Sequence, residues 1–411
     1  GGDNLFLASI VALKADTGKY AWHYQVNPGE AWDYKATANM ITATLMIDGR
    51  ARKVLMQAPT NGFFYVIDRE TGKLISAEKT GKVTWAERID LATGRPVEAP
   101  DIRYEKGETI LWPSMLGTHN WQDMSYNPLT GLVYIPYMQL AARYSTDVKP
   151  GELNFGGIKL EPWKADAADG TGAVLAWDPV AQRPRWKVPL ETIWNGGTLT
   201  TAGQLVFHGA GDGWFSAYDA ADGSRLWRFD AGLGIVGAPI SYAAGDTQYV
   251  SVLIGYGGTT AALSSVLNAG WKYGAQPRRL LSFALDGKHS LPPSAPRDFT
   301  VNAVDDPALV LDEKAVAMGR SLAIMCIACH GQNMVGAGSP GPDLRESRLA
   351  LSAGSFWSVV HDGTLAQRGM PAFPMLNREQ VDGLQAYIRA AAREALGTRE
   401  SSGAGSGVSA L

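Results

Sequence analysis

The chain has 411 residues, 45% of them hydrophobic and 19% charged, with a formal net charge of −3 and a pI near 6.1. That length is too great for one ordinary domain and enough for two buried cores. The slightly acidic balance argues against a nucleic-acid partner, which would want a basic face. No apolar run approaches the roughly 18 residues that a membrane-spanning helix needs.

In chain order, the first expected element is a strand over Leu5–Leu13, directly after the opening Gly1-Gly2-Asp3-Asn4. A start inside a structural element, with no signal peptide ahead of it, suggests a fragment of a longer protein. The 13 Trp and 47 Gly then fall into a pattern. ALKADTGKYAW (Ala12–Trp22), AWDPVAQRPRW (Ala176–Trp186) and AYDAADGSRLW (Ala217–Trp227) each place a Trp ten residues after an Ala, across an Asp/Gly-rich turn. VIDRETGKLIS from Val66 and YNPLTGLVYI from Tyr126 keep the turn and lose the Trp. Each reads as a β-hairpin with an inward aromatic. Hairpins repeated at intervals of tens of residues suggest propeller blades, with the Trp packed between neighbours. An ordinary β-sandwich is the alternative. The stretch Ala141–Asp169 shows no clear strand and reads as an insertion.

After Asp286-Gly287 the character changes. The propeller-like part is expected over residues 1–289, and a Pro-rich extended linker over 290–311, from SLPPSAPRD (Ser290–Asp298). A small all-α domain follows over 312–396. DEKAVAMGRSLAIM from Asp312 has helical spacing, Asn377 with Gln380 reads as a capping box, and Val381, Leu384, Ile388 and Ala391 form one apolar stripe. The Gly/Ser-rich tail, 397–411, is expected to be disordered.

The only two Cys are Cys326 and Cys329, and His330 follows directly. A disulfide, half a zinc site or a surface dithiol are conceivable fates for the pair. The Cys-x-x-Cys-His order points instead to covalent heme c. Two thiols at this spacing reach two vinyl groups on one porphyrin edge, and the adjacent His turns under the ring to the iron. Candidates for the sixth ligand are Met334, His361, Met370 and Met375. Gly369-Met370-Pro371 is preferred: it lies 40 residues past His330, ahead of the last helix. Met334 is too close to His330 to fold over the far face, and Met375 is the runner-up. The segment resembles small cytochromes c, in which Pro342-Asp343-Leu344 would pack on the His side of the ring. His/Met ligation would favour accepting electrons over activating oxygen.

The remaining sequence resembles the type II quinohemoprotein alcohol dehydrogenases. AWDYKAT (Ala31–Thr37), VLMQAPTNGFFYVIDRETGKLISAE (Val54–Glu78), VTWAERIDLATGRPVE (Val83–Glu98), GTHNW (Gly117–Trp121) and WNGGTLTTAG (Trp194–Gly203) carry the likeness. It covers nearly the whole chain. It implies an eight-bladed propeller holding pyrroloquinoline quinone (PQQ), followed by a cytochrome c domain, with about five blades present here.

Several site residues follow from that resemblance. Asp33 would be the general base and a calcium ligand; by itself it could equally be a loop-capping Asp. A carboxylate beside a cation can take the hydroxyl proton of an alcohol, and calcium would polarise the quinone carbonyl. Asn120 and Trp121 would contact PQQ, or else form a turn amide beside a core indole. Trp194-Asn195-Gly196-Gly197 lies on a Gly-rich turn with no assigned role. Thr60 stands before Asn61-Gly62-Phe63-Phe64, where the family has a Lys that hydrogen-bonds the quinone oxygens; Thr60 offers one hydrogen bond and no charge. The family's other calcium ligands, a Glu and an Asn, and its vicinal disulfide would lie upstream of Gly1.

The implied activity is oxidation of a small alcohol to an aldehyde, with electrons passing through heme c to a cupredoxin or cytochrome. The implied setting is the periplasm, as a monomer without a membrane span. The alternative is an electron carrier with a catalytically incomplete propeller. A structural scaffold propeller shares the Trp repeats but needs no redox centre.

Overall fold

The computed structural model describes residues 2–105, 107–149, 152, 154, 156–255, 278–292, 300–336 and 341–403, with side chains as far as 397. The chain divides into two compact units. Gly1–Thr146, Leu160–Gly255 and Arg278–Pro293 form the first, and the second is built on Ser294–Leu411.

In the first unit the Ala-to-Trp spacing is a hairpin register. Ala12 faces Trp22, Ala176 faces Trp186 and Ala217 faces Trp227 across antiparallel strands, and Val66 faces Ser76 where the Trp is absent. A register shift follows the Ala or Val in all four, which increases the local twist. The turn Asp holds the chain reversal. Asp68 Oδ1 accepts from the backbone of Glu70 and Thr71 and from the Thr71 hydroxyl, and Asp178 and Asp219 accept from the backbone two residues on.

The Trp then joins one hairpin to the next. Trp22 Nε1 donates to the Arg69 carbonyl at 3.1 Å, and its ring lies against Gly72, where a Cβ would stand 2.7 Å from Cδ2. Trp186 Nε1 donates to the Ala220 carbonyl at 3.2 Å and packs on Gly223 in the same way. Both glycines have positive φ, +73° and +77°, which a tight turn after Asp demands.

Three complete four-stranded antiparallel sheets result. The first is Ile41–Ile47, Arg50–Gln57, Phe63–Asp68 and Leu74–Lys79; the second is Ser125–Asn127, Leu132–Gln139, Thr171–Asp178 and Arg183–Leu190; the third is Thr198–Thr200, Leu205–Gly209, Trp214–Asp219 and Arg225–Asp230. A two-stranded sheet, Ser9–Leu13 with Tyr20–Gln25, precedes them, and a three-stranded sheet, Ile240–Ala244, Thr247–Ile254 and Arg279–Ala284, follows. These are five propeller blades, whole or partial, among the described residues. Inner strands are buried on both faces because blades stack face to face. Met56, Phe64 and Val66 meet Val133, Ile135, Leu175 and Trp177 in one cluster; Tyr134 and Val174 meet Val206 and Tyr218 in another. Edge strands such as Arg183–Leu190 are mostly exposed or half-buried instead.

Two sequence expectations need correction. The opening strand is Ser9–Leu13 only, because Leu5–Ala8 forms a turn. The stretch after Ala141 does contain strands: Ala141–Ser145 pairs with Glu108–Leu111, and Lys159–Trp163 completes a three-stranded sheet. Ala141–Ser145 finds its partner some thirty residues upstream and Lys159–Trp163 pairs back on Ala141–Ser145, so no local alternation marks the pairing.

The second unit is helical. Helices α1 (Glu313–Leu322), α2 (Ile327–His330), α3 (Ala353–Val360) and α4 (Arg378–Gly403) are joined by connections that contain short 3₁₀ turns. Asp312 caps α1 by accepting from Ala315 N at 2.8 Å. The Asn377/Gln380 capping box forms in both directions, at 2.9 and 3.0 Å. Val381, Leu384 and Ile388 of α4 face the core, and α1 crosses α4 where Gly319 meets Gly383 with no room for a Cβ. Helix α4 continues past Gly397 to Gly403, so the first seven residues expected in the disordered tail are helical; residues 404–411 lie outside the described residues.

The expected linker also differs. Residues 293–299 lie outside the described residues, but 302–309 dock on the helical unit. Val304 N donates to Arg345 O at 3.0 Å, Asn302 N to Glu346 at 2.7 Å, and Arg393 Nη2 to Asp306 O at 2.9 Å. Arg389, fully buried, donates to the Val304 and Leu344 carbonyls and ties this segment to α4. A buried guanidinium persists only with such partners.

Candidate functional site

The helical unit contains a cavity of about 490 Å³. Cys326, Cys329, His330, Gly341 and Pro342 line it, as do Leu344, Phe356, Val360, Arg368, Met370 and Pro371. Helix α2 is a single turn, and it sets the two thiols and the imidazole on one wall. His330 Nδ1 lies 2.8 Å from the Pro342 carbonyl, a group that only accepts, so Nδ1 carries the proton and Nε2 keeps its lone pair. Burial holds the His330 pKa below the ordinary value, favouring the neutral form that binds metals. Burial likewise pushes the Cys326 thiol up to about 11. A Cβ at Gly341 would stand 3.0 Å from both Cε1 and Nδ1 of His330, so only Gly lets the 341–342 segment approach the ring.

These observations fit a heme. A mainly apolar cavity has two thiols and an oriented imidazole on one side, and Met370 lines it as well. Met334 also lines the cavity, four residues after His330. Met375 is 71% exposed and lines no part of it. His361 stacks on Trp357 at 4.0 Å, bonds Asp362 at 2.8 Å, and is likewise absent from the lining.

In the first unit the loop Glu30–Lys35 gathers around a buried aromatic cluster. Trp32 and Trp85 are fully buried with ring centres 5.2 Å apart, and Tyr34 joins them. Glu30 accepts from Trp32 N at 2.7 Å and Tyr34 N at 2.9 Å, and Tyr144 donates to the Trp32 carbonyl at 2.8 Å. These bonds present Asp33 outward at φ +63°, with its side chain 56% exposed. Lys35 Nζ stands 3.0 Å from Asp33 Oδ2.

The same loop binds the segment ahead of Asn61. Lys35 N donates to Thr60 Oγ1 at 2.7 Å, while Thr60 N and its hydroxyl donate to Lys35 O at 3.2 and 3.3 Å. Gly117, at φ +83°, packs so closely on Thr60 that a Cβ would stand 2.6 Å from its Cα. His119 bridges the Ala58 and Gln122 carbonyls at 2.7 and 2.6 Å. Asn120 Nδ2 donates to Leu116 O at 2.9 Å, and its Oδ1 accepts from Trp121 N at 2.9 Å, leaving one amide hydrogen free. Trp121, 40% exposed, meets buried Trp194 edge to face at 6.1 Å. Trp194 Nε1 and both polar atoms of the Gln122 amide are buried without a partner. Asp33, Thr60, Gly117 and Asn120 therefore lie on one continuous hydrogen-bonded set of loops.

Comparison with known proteins accounts for both units. Residues 1–88 and 163–250 match the glucose/ethanol/alcohol dehydrogenase β-propeller domain, and 315–388 match a cytochrome family described as cytochrome c oxidase, cbb3-type, subunit III. Quinohemoprotein alcohol dehydrogenase ADH IIB of Pseudomonas putida is 49% identical over 94% of this chain and 56% of its own length. The chain belongs to the quinohemoprotein alcohol dehydrogenase family. The solved structure of ADHIIG from Pseudomonas putida HK5 superposes with a TM-score of 0.82 at 40% identity, covering 96% of this chain and 59% of that one. The Comamonas testosteroni enzyme gives 0.75 at 37% identity, covering 96% and 58%. The chain thus spans little more than half the length of these quinohemoprotein relatives.

Within this family frame, the structure brings Cys326, Cys329, His330 and Met370 to one cavity. It also places Asp33 on a shaped loop. Thr60 differs from its expected use as a cofactor contact: it is 1% exposed, and its hydroxyl is committed to the Lys35 backbone. Among the described residues, no group of three or more His, Cys, Asp or Glu that could hold a metal ion gathers around Asp33. The sequence reading missed Gly341, Lys35 and the Trp121–Trp194 contact. Gly341 had a signal in the Gly-Pro-Asp run, whereas the other two depend on partners far along the chain.

Proposed function

We propose that this chain is the propeller and cytochrome portion of a periplasmic enzyme that oxidises small alcohols to aldehydes, using PQQ and passing electrons through heme c to an external cupredoxin or cytochrome. The observation that carries the reading is the cavity lined by Cys326, Cys329, His330 and Met370, joined in one chain to the family's propeller. Cys326 and Cys329 would attach a heme there and His330 and Met370 would hold its iron, a pairing that would raise the potential and suit one-electron acceptance. Among the described residues no helix is long and apolar enough to cross a membrane. A monomer is proposed.

On the propeller, Asp33 takes the hydroxyl proton of the alcohol, being exposed and held by the Glu30 and Tyr144 bonds. Bound PQQ would supply the two-electron acceptor. The free Asn120 amide hydrogen and the Trp121 ring are suited to its polar rim and its face, and the unpartnered Trp194 indole N–H supports a polar ligand nearby. Calcium remains a family expectation. The described residues contribute Asp33 and no further cluster, so no step is assigned to the ion.

The second reading, an electron carrier with an incomplete propeller, is favoured by the committed Thr60 hydroxyl. The deciding experiment mixes full-length protein, loaded with PQQ and calcium, with a primary alcohol and follows the heme spectrum. Rapid heme reduction supports the enzyme; a heme left oxidised supports the carrier. Asp33→Asn should abolish reduction by alcohol and leave the dithionite-reduced spectrum intact, and unchanged turnover would remove Asp33 from the chemistry.

A further inference from the structure

We propose that Lys35 supplies to the quinone the cationic hydrogen-bond donor that position 60 lacks. The inference rests on the reading above and deepens it. The family resemblance implies a Lys at residue 60, and here it is Thr. Lys35 is its partner: the two residues share three hydrogen bonds, Lys35 N to Thr60 Oγ1, Thr60 N to Lys35 O and Thr60 Oγ1 to Lys35 O, at 2.7, 3.2 and 3.3 Å. A positive charge missing at one position is therefore present on the residue bonded to it.

The two side chains are also in opposite states. Thr60 is 1% exposed and its only hydroxyl proton goes to Lys35 O, so it can serve no ligand. Lys35 has a side chain 40% exposed, with its ammonium 3.0 Å from both Asp33 Oδ2 and the Asp33 carbonyl. Two of its three protons are used and one remains. It stands beside the carboxylate assigned to the alcohol proton, where a cation can hold an electrophilic carbonyl and that carboxylate in one arrangement. An exposed Lys–Asp pair adds little to stability, so folding does not account for its placement. The backbone bonds between Lys35 and Thr60 are what hold the stem of Lys35 in place, which makes Thr60 a positioning residue.

The test uses full-length protein and PQQ itself. PQQ affinity is read by equilibrium titration, and heme reduction by alcohol is followed separately. Lys35→Gln should weaken PQQ binding by about tenfold or more, the scale of losing a charge-assisted hydrogen bond. Lys35→Arg, which keeps the charge, should stay within a few-fold of the parent. Parent-like affinity in Lys35→Gln would overturn the proposal, and so would equal loss in Lys35→Arg and Lys35→Gln, which would mark a packing role. If the parent protein neither binds PQQ nor reduces its heme with alcohol, the enzyme reading itself fails; if it does both and Lys35→Gln matches it, only the Lys35 assignment fails.

Discussion

Gly341 and His330 are in direct apposition: a methyl group at residue 341 would come within 3.0 Å of two imidazole atoms and 2.7 Å of the Cys329 carbonyl. The position that orients the heme ligand is therefore a residue without a side chain. It lets the next carbonyl, that of Pro342, reach Nδ1 at 2.8 Å. Gly341→Ala should push the imidazole aside and weaken that bond. The expected result is a destabilised heme domain, by about 1–3 kcal/mol for such overpacking, with a shifted heme spectrum. An unaltered spectrum and midpoint potential would show that the close approach does not govern the ligand.

Met370 and Met375 offer a clean comparison. The first lines the cavity and packs on the helical core; the second is 71% exposed. Met370→Ala should lower the heme potential and remove any weak sulfur-to-iron band at the red edge of the visible spectrum. Met375→Ala should leave both unchanged. The reverse outcome would transfer the assignment to Met375.

The blade junctions can be probed at Trp22 and Gly72. Trp22 is 9% exposed and seals the neighbouring turn through its bond to Arg69 O. Trp22→Ala should cost about 3–5 kcal/mol, as large-to-small changes in packed aromatic sites do. Gly72→Ala meets both a ring 2.7 Å away and a φ of +73°, so it should also destabilise, by about 1–3 kcal/mol. Denaturant unfolding of the full-length protein measures both. A stability within 0.5 kcal/mol of the parent, roughly the scatter of surface changes, would mean the junction is not a point of support.

Buried His208 predicts an acid sensitivity. Burial lowers its pKa to about 4 from 6.5. Between those values the unfolded chain binds a proton that the folded chain refuses. Stability contributed by keeping His208 neutral is therefore present above about pH 6.5 and is lost as pH falls toward about 4. The full effect is on the order of 3 kcal/mol, because each tenfold change in proton affinity is worth about 1.4 kcal/mol. His208→Gln should flatten the fall in unfolding midpoint between pH 7 and pH 5. An identical slope in the variant would place the sensitivity elsewhere, with His119, whose pKa burial also lowers, the next candidate.

Features set by short-range spacing are legible in the sequence itself. Cys326, Cys329 and His330 fall within one turn, so their chemistry is dictated by neighbours in the chain. Ala12 and Trp22 are ten apart because a hairpin with an Asp-closed turn makes them cross-strand partners. Asn377 and Gln380 cap a helix by reaching three residues. In each case the interacting groups are close in sequence, and period alone places them.

What needed three dimensions are the contacts between groups far apart in the chain. Nothing near Thr60 announces that its hydroxyl belongs to Lys35, 25 residues earlier. Nothing in the Pro-rich run shows that Val304 is held by Arg389, 85 residues later, so that part of an expected linker is docked structure. Strands such as Lys159–Trp163 were invisible because their pairing partner, not their own pattern, makes them strands. Local sequence encodes periodicity, turns and caps through steric and hydrogen-bonding rules that act over a few residues. Which loop receives a leftover donor, and which cation ends up beside which carboxylate, is settled only when blades and helices pack.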